Sequence, residues 1–168
     1  MKLATFKLVA VFTLTASLAP AAGLAFIEVP ADATGPAIKA LVWSPCAVAP
    51  DTIKLGAIVT PAARDCPIMG DKLPLIVISH GRSGGALSHH DTAERLADSS
   101  FIVAALNHPS DNSANPDRID DIATMVERPL DIKRLIDFML TASSTPWFWR
   151  SSSSISEPSA AAPPAPRR

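Results

Sequence analysis

Two apolar runs joined by a glycine loop and a helical stretch constrain this chain more than any other feature. Leu73 to Ser79 reads LPLIVIS, a continuous apolar run with charge before it and glycine soon after. Phe101 to Leu106 reads FIVAAL and leads into Asn107-His108-Pro109. Continuous rather than alternating runs of this length are typical of strands buried on both faces of a parallel sheet. Between them stand His80-Gly81-Arg82-Ser83-Gly84-Gly85 and a helical stretch from about Ser88 to Asp98. Strand, loop, helix, strand is one βαβ unit, and such crossovers are right-handed. The expected fold class is therefore α/β.

The flanks are read around that unit. Ala25 to Val29 and Ile38 to Trp43 have the length of strands and are separated by Pro, Asp and Gly. Residues 44–73 hold Pro45, Pro50, Gly56, Pro61, Pro67 and Gly70, with only the short apolar run Ile58-Val59, and read as a long connection. A polar loop from Ser110 to about Asp121 precedes a second helix. Pro129 is expected in the first turn of that helix, where its missing N–H is not needed. Ile132, Leu135, Ile136, Met139 and Leu140 then mark one buried face. From Ser143 to Arg168 there are eight Ser, five Pro and four Ala. Such a segment buries too little surface to offset its ordering entropy, so residues 143–168 are expected to form a disordered tail. Its Trp147-Phe148-Trp149 cluster is the one apolar exception.

A length of 168 residues suits one domain. Lys2 and Lys7, the apolar run Leu8 to Ala19 and the small residues around positions 20–25 read as a secretory signal peptide covering residues 1–25. The run is shorter than the about 20 apolar residues that span a bilayer. Residues 26–142 are then the mature domain, expected to be secreted or periplasmic, with no membrane association after cleavage. The 15 basic and 16 acidic residues leave a net charge of −1, which gives no electrostatic reason to expect nucleic acid as a partner. In an oxidising compartment Cys46 and Cys66 can close a disulfide loop worth about 3 kcal/mol; the alternative is a pair of buried thiols. Two cysteines without suitably spaced histidines make no zinc site, and neither metal nor cofactor is expected.

The glycine loop carries the chemistry, and it admits two readings. Gly81-Arg82-Ser83-Gly84-Gly85 matches G-x-S-x-G between a strand and a helix, the setting of a nucleophile elbow with Ser83 as nucleophile. Alternatively His80-Gly81-Arg82 is an oxyanion loop, in which backbone N–H groups face the developing alkoxide. Glycines serve both turns. Chain order favours the second reading, because an elbow serine is followed by several βα units before its acid and histidine. The later histidines are only His89 and His90, at the next helix, and His108, at the next strand end. No glycine follows Gly85, so no second elbow can form within these 168 residues. His108-Pro109-Ser110-Asp111 ends a strand where α/β clefts gather, making His108 a substrate-cleft candidate beside the reading of a structural turn. His89-His90-Asp91 reads as a solvated helix start, since adjacent helical side chains diverge. Arg128 and Asp131 stand either as a buried pair or on the helix surface.

The segment LPLIVISHGRSGGALSHHDTAERLADSSFIVAALNHPSDN (73–112), followed by ERPLDIKRLIDFML (127–140), resembles the secreted dienelactone-hydrolase-like group of α/β-hydrolases, which shares its HG loop with platelet-activating-factor acetylhydrolases. The resemblance covers about residues 25–142. It implies the N-terminal part of an α/β-hydrolase three-layer sandwich, with a mostly parallel sheet and antiparallel early strands. It also implies that His80-Gly81 opens the oxyanion loop, that the Arg82 N–H is a donor, and that helix 129–142 leads into a nucleophile strand. The sequence departs there. A Ser/Pro tail stands in place of that strand, as expected of a truncation or a shifted reading frame near Ser143. Ser100 also stands where a helix-ending glycine is expected.

Three functions are compatible with these features. The first is a member of the carboxylic ester and lactone hydrolases that keeps the oxyanion loop, lacks nucleophile and triad, and is inactive alone. The second is an active esterase using Ser83, with His108 as base. The third is a secreted binding or assembly module that self-associates through strand 74–79, whose expected partner strand is missing.

Overall fold

The computed structural model describes residues 21–142. The expectations placed on residues 1–20, on the Ser/Pro tail and on its aromatic cluster lie outside the described residues. In chain order the elements are β1 (Ala21–Val29), β2 (Ile38–Cys46), β3 (Asp51–Leu55), β4 (Ile58–Arg64), β5 (Leu75–Ile78), α1 (His90–Asp98), β6 (Ile102–Leu106) and α2 (Ala123–Ala142). They build one mixed sheet in the order β3-β4-β1-β2-β6-β5.

Side-chain alternation divides the core into two layers. Strand residues point to opposite faces in turn. Leu41 and Trp43 of β2, Leu24 of β1, and Val103 and Ala105 of β6 therefore share one face, where Ala93 and Ala97 of α1 cover them. Val42, Ile27, Ala104 and Leu106 point the other way, onto Leu135 and Met139 of α2. Two helices on opposite faces of a sheet give the three-layer α/β sandwich. The sheet pairs antiparallel at β1/β2, β2/β6 and β3/β4. It pairs parallel at β1/β4 and β5/β6. The parallel pair β5/β6 flanks α1, as the βαβ reading requires.

Several boundaries differ from expectation, each for a physical reason. β1 begins at Ala21 rather than Ala25, so residues assigned to the signal segment pair with the end of β2, from Ala21↔Cys46 to Ala25↔Val42. Ala22 and Leu24 are buried there. The proline-rich stretch after Trp43 is not a bare connection. It completes β2 and then forms a hairpin, in which Ile53 and Leu55 alternate with exposed neighbours. Gly56, at φ 63°, supplies the left-handed turn before Ile58. Pro61 is tolerated in β4 because it lies opposite Thr52, away from the Ala63 and Arg64 positions that meet β1.

β5 is shorter than the apolar run, and its residues are half-buried rather than buried on both faces. The reason is its place at the sheet edge, with β6 as its one neighbour among the described residues. α2 starts at Ala123, which puts Pro129 inside the helix and not in its first turn. The start is set by Asp121, whose carboxylate accepts the Ala123 N–H at 2.9 Å. On the expected buried face Leu135 and Met139 are buried, whereas Leu140 is exposed. Ser100 takes the left-handed φ of 68° that a glycine would favour.

Two ties bind this frame. Cys46, at the end of β2, and Cys66, just beyond β4, form a disulfide with their Cα atoms 6.0 Å apart. Arg134 of α2 reaches the β1–β2 turn, donating to the carbonyls of Pro30 and Pro36 at 2.8 Å each and to Asp32 at 3.2 Å.

Candidate functional site

Parallel register brings the site together. Ile78 of β5 lies beside Ala105 of β6, so the residues after both strands emerge at the same edge. That edge, beyond the carboxyl ends of parallel strands, is where α/β folds gather their ligands. It places Ser79-His80-Gly81 next to Asn107-His108.

His108 is the centre of the cluster and is 1% exposed. Its Nδ1 lies 2.9 Å from Asp131 Oδ2, and its Nε2 lies 2.8 Å from Ser79 Oγ. A carboxylate only accepts, so Nδ1 carries the proton and donates to Asp131. Nε2 then offers its lone pair, and the Ser79 hydroxyl donates to it. Ser79 itself is exposed. The arrangement is a serine–imidazole–carboxylate relay with an accessible hydroxyl at its outer end.

His80 packs edge-on against His108, with ring centroids 5.1 Å apart. Its Nδ1–H donates to the Gly81 carbonyl at 2.7 Å, and its Nε2 accepts the His108 backbone N–H at 3.3 Å. Both nitrogens are thus satisfied in the neutral ring. Burial, above all, holds its pKa below the ordinary histidine value; the nearby Arg128 guanidinium acts the same way, while the bond to Gly81 and the Asp111 carboxylate act against it.

Arg128 props this loop from below. Its guanidinium donates to the His80 carbonyl at 3.0 Å and to the Gly81 carbonyl at 3.5 Å. The same group pairs with Asp111, 2.7 Å away and 1% exposed. An Arg128–Asp131 pair, one of the two sequence expectations, is not formed. Asp131 faces His108, one helical turn on from Arg128, and each takes a different partner. With its carbonyls anchored, the loop leaves the N–H groups of Gly81, Arg82 and Ser83 without acceptors among the described residues. Gly84 is needed beneath it, because a Cβ there would stand 2.9 Å from His80 Cβ and 3.1 Å from the Gly81 carbonyl oxygen.

The other sequence candidates fall elsewhere. Ser83 has the strained φ of 61° that suits an elbow, but the imidazole expected as its base is engaged by Ser79. The Arg82 side chain is exposed and pairs with Asp120, also donating to the Ile119 carbonyl at 3.3 Å. His90 Nδ1–H donates to the Leu87 carbonyl at 3.0 Å, and Asp91 accepts the Thr92 N–H at 2.8 Å, both local contacts of the α1 start. Among the described residues no group of three His, Cys, Asp or Glu side chains is placed to hold a metal. No helix among them is long and apolar enough to cross a membrane. Sequence reasoning does not pair Ser79 and Asp131 with His108. Their only signal is that of polar residues at the ends of neighbouring parallel strands and on the helix that crosses beneath.

A family model described as platelet-activating factor acetylhydrolase, isoform II, matches residues 45–134. No curated protein matches the chain. Among solved structures, a ferulic acid esterase from Streptomyces cinnamoneus is similar at 19% identity with a TM-score of 0.47, over 58% of this chain and 36% of that one. The chain thus spans about a third of that esterase's length.

Proposed function

Since the chain belongs to the platelet-activating factor acetylhydrolase, isoform II, family, we propose that it carries the oxyanion-binding part of a carboxylic ester or lactone hydrolase and does not sustain turnover alone. The observation that carries this reading is the anchored loop. Arg128 fixes the His80 and Gly81 carbonyls from one side, and the N–H groups of Gly81 and Arg82 have no acceptor among the described residues. Preorganised donors of this kind stabilise the charge that develops on a reacting oxygen without reorganising. The matching nucleophile elbow has no counterpart after Gly85 in the sequence.

A stable oxyanion mimic tests the binding half. Titration of the chain with a methylphosphonate monoester should shift the amide resonances of Gly81 and Arg82 and leave those of α1 in place. Unmoved loop amides at saturating ligand would remove the basis for an oxyanion role. Sustained hydrolysis of p-nitrophenyl butyrate or of a simple lactone by the purified chain would refute inactivity. Reading the coding DNA through codon 143 in all three frames, in search of a strand followed by Gly-x-Ser-x-Gly, tests the frame-shift explanation.

Export belongs to the same proposal. The basic start and short apolar run before Pro20 act as a signal peptide, and cleavage before Ala21 retains the whole of β1. Amino-terminal sequencing of the exported chain checks this: a start beyond Ala22 would cut into the core. A second reading, assembly through a second copy, draws on the edge position of β5. It predicts concentration-dependent dimers on size exclusion, and a monomer at all concentrations would exclude it.

A further inference from the structure

From the Ser79–His108–Asp131 relay we infer that Ser79 is an activated nucleophile, which takes an acyl group from esters with good leaving groups and holds it. Its basis is the geometry of these three side chains, independent of the oxyanion loop. A serine hydroxyl is a weak nucleophile until a neighbouring base receives its proton. His108 Nε2 is that base at 2.8 Å, and Asp131 holds the ring in the required tautomer from Nδ1 at 2.9 Å. The chain order, serine then histidine then acid, differs from the order in which α/β-hydrolases deploy their triad. The serine lies at the end of β5 and not on an elbow.

The step balances as an ordinary acyl transfer. Ser79 Oγ attacks the ester carbonyl carbon as its proton passes to His108 Nε2. The tetrahedral intermediate then collapses, its C–O bond breaks, and the leaving group departs with the electron pair. Burial of His108 limits both departure and hydrolysis. The imidazole is 1% exposed, so its new Nε2–H lies beneath Ser79 and is poorly placed to protonate a leaving group in solvent. Phenolates of low basicity leave without that help, whereas alkoxides do not. The same burial disfavours the second half-reaction, because the acylated Ser79 covers the nitrogen that would activate water. The expected product is a long-lived acyl-serine, and fluorophosphonates should trap the same oxygen.

The test mixes the purified chain with excess p-nitrophenyl acetate. The expected result is a burst of one nitrophenolate per chain, with no later release above the buffer rate. Mass spectrometry should find one acetyl group, on the peptide carrying Ser79. Ser79→Ala should abolish the burst. Asp131→Asn, with circular dichroism unchanged, should slow it by about 10²- to 10⁴-fold. Ser79→Cys should restore acyl transfer through sulfur. Absence of the adduct in folded wild-type chain, an adduct mapped to Ser83 or to lysine, or a burst indifferent to Asp131→Asn would each overturn the inference. Sustained turnover that is lost in Ser79→Ala would uphold Ser79 as the nucleophile but overturn both its retention of the acyl group and the proposed inactivity of the chain.

Discussion

Arg128 Nη1 lies 3.0 Å from the carbonyl oxygen of His80, forty-eight residues earlier in the chain. Through that contact a helix packed on one face of the sheet sets the shape of a loop at the sheet's edge. The loop contributes little of its own to that shape, because its glycines permit many conformations. What selects one of them is a guanidinium whose planar fork is matched by two carbonyls and the Asp111 carboxylate.

Replacing Arg128 should therefore be costly. Arg128→Leu strands the Asp111 carboxylate, which is 1% exposed, without its counter-charge. Breaking such a pair typically costs about 3–5 kcal/mol. The urea midpoint should fall accordingly, and Arg128→Lys should recover only part of it, because an ammonium cannot reproduce the fork. Full recovery by lysine would mean that charge alone matters here.

Loss of the Cys46–Cys66 bridge should lower stability by about 3 kcal/mol, mainly by freeing the unfolded chain. Urea unfolding of the Cys46→Ala, Cys66→Ala double variant, compared with oxidised and reduced wild type, measures it. Identical midpoints for all three would show that the β2 end and the segment after β4 are held by packing alone.

His80 should make stability fall as pH drops below neutrality. Its folded pKa is lowered from 6.5, chiefly by burial. Below pH 6.5 the unfolded chain therefore binds a proton that the native chain still refuses, and stability declines until the native pKa is passed. His80→Gln should flatten this part of the profile. The lowered carboxyls act in a separate window. Asp32, held down mainly by Thr34, and Asp121, held down mainly by the Ala123 N–H, lose their contribution only as pH falls below 3.8. An unchanged slope below pH 6.5 in His80→Gln would show that another group carries the effect.

Gly84→Ala should destabilise the loop without removing a polar group. The added methyl would lie 2.9 Å from His80 Cβ and 3.0 Å from Ser88 Oγ, inside contact distance of both. Overpacking of this kind costs about 1–3 kcal/mol. Amide shifts confined to residues 79–88, with a lower melting temperature, are expected. A variant as stable as wild type would show that the loop can move aside freely.

The parts of this structure that are legible in the sequence are those written in local pattern. The runs ending at Ser79 and Leu106 announce a parallel pair because nothing in them alternates, and the glycines at 81, 84 and 85 announce a tight loop. The β3–β4 hairpin is harder to see. Pro61 and Gly56 suggest a connection, although Thr52-Ile53-Lys54-Leu55 does alternate as a strand should. The true start of α2 is obscured in a similar manner, since Pro129 draws attention from the cap at Asp121. The polar cluster is almost illegible. Ser79, His108 and Asp131 are separated by 29 and 23 residues and carry no shared spacing, so only tertiary register brings them together.

Arg134 extends the role of α2 beyond the loop. Gly35 and the prolines of the β1–β2 turn crowd its guanidinium so closely that a methyl at Gly35 would stand 2.9 Å from Nη1. Backbone bonding of Asn107 to Lys39 puts that turn at the same rim as His108. One helix thus acts as a mooring bar for three otherwise independent pieces of rim. Random mutagenesis should accordingly find that inward-facing substitutions on α2 disturb the HG loop and the remote β1–β2 turn in concert, whereas changes on α1 leave both undisturbed.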